Sequence, residues 1–216
     1  FYVGSENQRL PILVQTIDGY HQEAILTANQ LKASSLESFC DIYISINEGC
    51  REFSPPSGIN IITRSIGQCW SSDLDESLQA LNSEYVLFWL DDFVPTRIDN
   101  ERLKSLWQWL QVIKGDYIRL NPTPKGGGGS VFDKVRHIDK GDSYRASTIL
   151  AIWNVKFLRS ILLSGESAWQ FEFFGSVRSD VSSQFYASDT VTIDSVNLVV
   201  KGLIVPSEEK KLNELG

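Results

Sequence analysis

The stretch Glu84-Tyr-Val-Leu-Phe-Trp-Leu-Asp-Asp-Phe-Val-Pro95 sets two carboxylates, Asp91 and Asp92, directly after an apolar run from Tyr85 to Leu90. Adjacent acids repel each other, and burying them unpaired is costly. A divalent cation relieves both problems, because hard cations take carboxylate oxygens and substrate phosphates together. The chemistry this pair offers is metal-assisted work on a phosphate-bearing substrate; a solvated loop or a helix cap accommodates the same two residues. A second acid, Glu172, sits in Trp169-Gln-Phe-Glu-Phe-Phe174. Among aromatic rings a carboxylate loses hydration and becomes a better general base, so Glu172 is the candidate base and Glu166 the reserve. An exposed glutamate on the polar side of that helix is the plainer reading.

These residues need elements to hold them. The run Tyr85 to Leu90 suits a strand buried on both faces of a parallel sheet, and the carboxyl ends of such strands are where open α/β sheets hold ligands. Leu10 to Ile17 reads as a first strand closed by Asp18-Gly19, with a helix over 20–33 carrying Ile25, Ala28 and Leu31. Asp41 to Ile46 and Ile59 to Thr63 read as the second and third strands. Ser71 and Ser72 offer N-caps to a helix with Leu74, Leu78 and Leu81 on one stripe. After the acids, Leu103, Leu106, Trp107, Leu110 and Ile113 share a helical face stopped by Gly115, and 116–120 reads as a strand. Strand and helix alternating through the first half predict an α/β fold: a Rossmann-like, mostly parallel sheet with helices on both faces.

The second half is less regular. Gly126 to Ser130 reads as a flexible linker. Tyr144 to Trp153, a short helix over 154–163, a helix opened by the capping box Ser167-Ala-Trp-Gln170, and a last strand over 195–200 follow. The expected organisation is one domain over 1–216, with a regular first half (1–121), a Gly-rich loop (122–130) and a less regular second half (131–216).

With a net charge of −7 and a pI near 4.9, the chain is no general nucleic-acid binder, and an anionic substrate needs a metal or a local cluster of positive groups. The three cysteines, Cys40, Cys50 and Cys69, lack zinc-like spacing and read as reduced thiols. No run approaches a membrane span and no secretory leader is visible, so a cytoplasmic protein is expected.

An apolar strand ending in Leu90-Asp91-Asp92, parallel strands around it, and Gly165-Glu-Ser-Ala-Trp-Gln-Phe-Glu-Phe-Phe-Gly-Ser176 about 80 residues on resemble GT-A glycosyltransferases. More narrowly they look like bacterial enzymes that build capsule or lipopolysaccharide. The resemblance implies sugar transfer from a nucleotide-diphosphate donor to a glycan or lipid-linked saccharide, with Mn²⁺ or Mg²⁺ bridging the donor phosphates. Asp91 and Asp92 would hold that metal; they are adjacent where the family spaces its acids, which leaves open which of them touches it. It also implies a donor pocket over the first strand ends, with Thr16, Ile17, Asp18, Asn47, Glu48, Gln68, Cys69, Trp70 and Asp73 as candidates. Asp18, Glu48 and Asp73 read as easily as turn or cap residues. Trp169 joins the substrate-binding set. Peripheral contact with the inner membrane face suits a lipid-linked acceptor. Arg136, Lys140 and Arg145 offer charge toward phosphate, His21 lies near the donor end, and His137 is isolated. Two other readings stand beside this one: a binding module without turnover, and an aspartate-based phosphotransfer protein using Asp18 and Lys201.

Overall fold

The computed structural model describes residues 8–50, 53–65, 69–124, 127–200 and 203–204. Gln68, Lys201 and the tail over 207–216 lie outside the described residues. The elements run β1 (Leu10–Gln15), α1 (His21–Ala33), β2 (Cys40–Asn47), β3 (Asn60–Arg64), α2 (Trp70–Leu81), β4 (Tyr85–Leu90), β5 (Phe93–Ile98) and α3 (Asn100–Val112). There follow β6 (Tyr117–Arg119), β7 (Ser130–Phe132), β8 (Val135–His137), β9 (Ala151–Asn154) and α4 (Val155–Ile161). A composite helix comes next: α5 (Ala168–Gln170), a π-helical turn over Phe171–Gly175, α6 (Ser176–Arg178) and a 3₁₀ turn over Ser179–Val181. Strands β10 (Phe185–Ser188), β11 (Ile193–Asn197), β12 (Val199–Val200) and β13 (Leu203–Ile204) close the described chain.

The main sheet has the order β3-β2-β1-β4-β9-β6-β10-β8-β7. Strands β1 to β4 are mutually parallel, as are β6 and β10. The expected α/β class and its mostly parallel, Rossmann-like sheet are what the chain adopts. Alternation along β4 explains its central place: Tyr85, Leu87 and Trp89 pack into the core with residues of α1 and α3. Val86 and Phe88 pack into the opposite core with residues of α2, α4 and Phe171. Each such large side chain, fully buried, contributes on the order of 1.5–3 kcal/mol.

Three local expectations change. The chain does not leave the sheet for a helix after the two aspartates: β5 begins at Phe93 and pairs antiparallel with β11 in a separate two-stranded sheet. Pro95 faces Ser195 beside a register break, a place where a residue without an N–H is tolerated. The N-cap of α2 is Cys69, not a serine. Ser71 and Ser72 lie in its first turn and reach sideways, Ser71 accepting from the Glu166 amide at 3.1 Å and Ser72 meeting Ser164 at 3.0 Å. The stretch before Trp153 yields only β9, which enters between β4 and β6 and runs antiparallel to both. The capping box at Ser167 forms as read, with both reciprocal bonds present.

The glycine run is not an open linker where it is described. The Gly127 amide donates to Asp142 at 2.9 Å. Gly128 lies so close to β8 that an added Cβ would sit 2.5 Å from the His137 carbonyl oxygen, whereas one on Gly129 would meet nothing within 4 Å. Gly128→Ala is therefore expected to lower the thermal midpoint by several degrees, about 1–3 kcal/mol of overpacking, while Gly129→Ala leaves it within about a degree. Thermal denaturation followed by circular dichroism checks this, and equal effects at the two positions would refute the packing argument.

Candidate active site

Parallel pairing brings the carboxyl ends of β1, β2, β3 and β4 to one rim. Asp91 and Asp92 occupy the two-residue turn between β4 and β5. Their backbone is fastened from both sides: Thr27 of α1 donates to the Asp91 carbonyl at 2.7 Å, and the Leu198 amide donates to the Asp92 carbonyl at 2.8 Å. Among the described residues neither side chain forms an ion pair, although Asp91 is near enough to Arg64 to act on its charge. Burial pushes the Asp91 carboxyl up to about 7, against a bond from Thr16 that favours the charged form, with Asp92 and Glu23 adding repulsion. Burial likewise pushes Asp92 up to about 6, again with Glu23 contributing. Glu23 Oε2 is itself buried without a hydrogen-bond partner.

Beside the acids lies a basic group that the sequence reading passed over. Arg64 ends β3 and is 1% exposed. It donates to the Ser45 carbonyl at 2.8 Å, to the Ser45 hydroxyl at 2.9 Å and to the Thr16 carbonyl, locking the ends of β1, β2 and β3 together. Its Nε stands 3.6 Å from the Asp73 carboxylate, which burial pushes up and Arg64 pulls back down. Ser77 extends this network, meeting the Ser45 hydroxyl at 2.6 Å and donating to the Asp73 carbonyl at 2.8 Å. The only sequence signal for Arg64 was a charged residue where a short apolar strand stops. For Glu23 it was an acid in the first turn of a helix following the first strand.

Around this network several buried polar atoms have no hydrogen-bond partner among the described residues: Gln15 Oε1, Asn47 Oδ1, Asp73 Oδ1, Arg64 Nε and Glu23 Oε2. Folded proteins satisfy nearly all such groups, so a concentration of them at one sheet rim marks a place built to meet a polar ligand.

The other candidates fall as follows. Thr16 is buried beside Asp91, and Ile17 follows it, exposed. Asp18 is exposed, 3.7 Å from His21, whose ring also meets Cys50 Sγ at 3.3 Å. Glu48 is exposed, its amide donating to the Arg64 carbonyl at 2.7 Å. Trp70 packs between Phe88 and Phe171, and its carbonyl accepts from Gln15 at 3.2 Å. Cys69 is a half-buried thiol whose pKa is lowered to about 6; burial opposes that shift, and hydrogen bonds with Ser71 and Ser72 and one from the Gly165 amide outweigh it. Arg136 pairs with Asp189, Arg145 is buried against Ser179, Ser182 and the Phe185 ring, and His137 packs against Tyr186. Lys140 is exposed. A polar groove of about 550 Å³ along α2 is lined by Asp75, Glu76 and Arg159 and by none of the rim acids.

Glu172 is buried, but only Phe171 of its aromatic neighbours packs with it in the core; Trp169 and Phe173 face solvent, 78% and 68% exposed. Its Oε1 accepts from the Ser147 hydroxyl at 2.9 Å and from the Thr148 amide and hydroxyl at 2.8 and 2.9 Å. Those residues lie just upstream of Ala151, which pairs with Phe88 near the acid end of β4. Glu172 is thereby fastened to the segment that leads into β9. Glu166 is held by Arg178 at 2.6 Å.

No protein-family model matches the chain, and no curated protein is similar to it. Solved structures are similar in fold. One is a UDP-glucose pyrophosphorylase complexed with UDP-glucose, at TM-score 0.62 and 11% identity over 96% of this chain and 100% of that one. Another is S. aureus TarS 1–349 in complex with UDP-GlcNAc, at TM-score 0.57 and 13% identity over 86% of this chain and 58% of that one. A third is the mannosyltransferase PcManGT from Pyrobaculum calidifontis with GDP-Man and Mn²⁺, at TM-score 0.59 and 10% identity over 90% of this chain and 58% of that one. The chain therefore spans little more than half of the latter two chains. The shared architecture is GT-A-like.

Among the described residues no cluster of three or more His, Cys, Asp or Glu is arranged to hold a metal. Two unpaired carboxylates nevertheless fit an ion of the Mg²⁺ or Mn²⁺ type, which takes one or two protein carboxylates and completes its shell with water and phosphate. Without metal, Asp91 carries a raised folded pKa, so the stability it contributes is present below the ordinary carboxylate value of 3.8 and is lost as pH rises through about 7. Asp91→Asn should accordingly gain thermal midpoint over the wild type on going from pH 5 to pH 8 in a chelator. A difference that stays flat across that range would show that the carboxylate is not desolvated.

Proposed function

We propose that the protein is a metal-assisted glycosyltransferase of hexosyltransferase type. It moves a sugar from a nucleotide-diphosphate donor to a hydroxyl of a glycan or lipid-linked acceptor, in surface-polysaccharide assembly at the cytoplasmic side of the membrane. The observation that carries the reading is the unpaired acid pair beside a cluster of unsatisfied polar atoms, at the carboxyl rim of a GT-A-like sheet. Similar folds that bind UDP-GlcNAc, UDP-glucose and GDP-Man support it.

The roles follow from charge and position. Gln15, Asn47, Arg64 and Asp73 receive the nucleoside through the donors and acceptors they leave open, with Thr16, Asp18, Glu48 and Trp70 at the border of that site. Asp91 and Asp92 would hold the ion, which would supply Lewis-acid relief of charge on the departing diphosphate. The acceptor oxygen attacks the anomeric carbon, the bond from that carbon to the phosphate oxygen breaks with its electron pair leaving on the diphosphate, and the hydroxyl proton passes to Glu172. Oε1 of Glu172 is occupied by three donors, so Oε2 is the atom that takes the proton. A base in this position belongs to an inverting transfer.

A second reading draws on the pyrophosphorylase, whose whole length is covered. It makes the protein a nucleotidyltransferase joining a nucleoside triphosphate to a sugar 1-phosphate. A triphosphate brings more negative charge to a rim that already carries Asp73, Asp91, Asp92 and Glu23 against Arg64, which favours the first reading.

Thermal shift against UDP-, GDP-, CMP- and dTDP-sugars, with and without Mn²⁺, tests the proposal. One nucleotide should raise the midpoint in a metal-dependent way, by about 2.7 kcal/mol of stabilisation at one hundred times its dissociation constant. Asp92→Ala should abolish the metal dependence; an unchanged shift removes the pair as the metal site. Glu172→Gln keeps an acceptor oxygen for Ser147 and Thr148, so it should retain the donor shift while turnover falls by roughly 10²–10⁴-fold. Pyrophosphate release from a nucleoside triphosphate and a sugar 1-phosphate would select the second reading.

A further inference from the structure

On the outer side of Glu172 lies a cavity of about 270 Å³ between Gly141–Tyr144 and the composite helix. It is smaller than the about 300–1,000 Å³ of pockets that hold whole drug-sized ligands, which leaves room for a single ring-sized unit. Glu172 and Ser176, 7% and 6% exposed, form its floor, while Phe173 and Val177, each 68% exposed, and Tyr144 form apolar walls.

Three carboxylates line the cavity, and each has one oxygen committed and one open. Asp142 Oδ2 accepts from the amides of Gly127 at 2.9 Å and Asp139 at 3.2 Å. Asp180 Oδ1 accepts from the Gly141 amide at 3.0 Å and stands 3.7 Å from Arg145. Glu172 Oε1 takes its three donors from Ser147 and Thr148. Among the described residues, Asp142 Oδ1, Asp180 Oδ2 and Glu172 Oε2 have no hydrogen-bond partner, and none of the described lining residues is basic. The carboxylates are held in place by backbone and hydroxyl donors, so the open oxygens are fixed acceptors and not mobile surface charges.

We infer that this cavity receives the acceptor's terminal pyranose and selects a neutral or ammonium-bearing sugar over a phosphorylated or carboxylated one; the inference rests on the glycosyltransferase reading. A pyranose presents hydroxyl donors around its edge and an apolar C–H face. Open carboxylate oxygens match the first, and the Phe173 ring with Val177 matches the second. Three carboxylates outnumber the one buried guanidinium near them, Arg145 at 3.7 Å from Asp180, so an anionic sugar is repelled and an ammonium group favoured. The floor at Glu172 then sets a sugar hydroxyl against the proposed base.

Saturation-transfer NMR on the full chain tests this with methyl glucopyranoside, galactopyranoside and mannopyranoside, N-acetylglucosamine and glucosamine, set against glucose 6-phosphate and glucuronate. At least one of the first five should bind while the last two do not. Phe173→Ala, an exposed position that leaves the core intact, should weaken that binding by about tenfold or more. The same variant should keep the nucleotide thermal shift of the wild type. Absence of binding by all five, equal binding of the acidic sugars, or an unchanged affinity in Phe173→Ala overturns the inference. Sugar binding in a protein that shows no nucleotide shift would instead count against the donor reading and leave a saccharide site standing.

Discussion

Two neighbouring carboxylates are held half out of water at the edge of a sheet, and among the described residues neither forms an ion pair. The apolar run of β4 demands burial on both faces, and it delivers Asp91 and Asp92 to the rim whether or not their charge is welcome. Their carbonyls are tied down by Thr27 and Leu198, so the chain cannot swing the acids into solvent without breaking bonds to two other elements. The cost shows as carboxyls pushed up to about 7 and about 6. A fold that fixes the backbone and leaves the charge unanswered has reserved that charge for a partner.

Arg64 is the counterpart on the side where the proposed donor's nucleoside would lie. A buried guanidinium at the end of an edge strand is expensive unless its donors are used. Here they cross-link the ends of three strands, leaving Nε turned toward Asp73 at 3.6 Å. The same residue therefore stiffens the rim and keeps polar atoms beside it unsatisfied. In the proposed transfer, stiffness matters because a nucleotide donor would have to be presented to a second substrate in one geometry, and positioning of this kind contributes strongly to rate.

The second half serves the first by intrusion. Strand β9 enters the centre of the sheet, so the segment leading into it, with Ser147 and Thr148, has to approach the rim. Glu172 fastens that segment to the composite helix through one oxygen, and the π-helical turn in which it lies separates buried Phe171 from exposed Phe173. One acid thereby joins the segment leading into β9 to the floor of a small cavity. The exposed aromatic and aliphatic side chains on this helix sit where a ligand's apolar face has something to cover.

Local pattern was enough for the class of fold, the extent of β4, the helices α1 and α3, the capping box at Ser167 and the placing of Asp91 and Asp92 at a strand end. These depend on periodicity, burial on two faces and cap chemistry, all of which act over a few residues. It was not enough for β5, because Phe93 to Ile98 becomes a strand only by pairing with β11, about a hundred residues away. Nor did it show β9 between β4 and β6, or the close contact of Gly128 with His137, both of which are long-range pairings. Arg64 and Glu23 join the candidate site only through neighbours distant in sequence, and a lone charge at a strand end carries no local mark of that. What a residue touches three or four positions away is written in the chain itself. Which unpaired acid, amide or guanidinium meets another across the sheet is decided when the strands take their order.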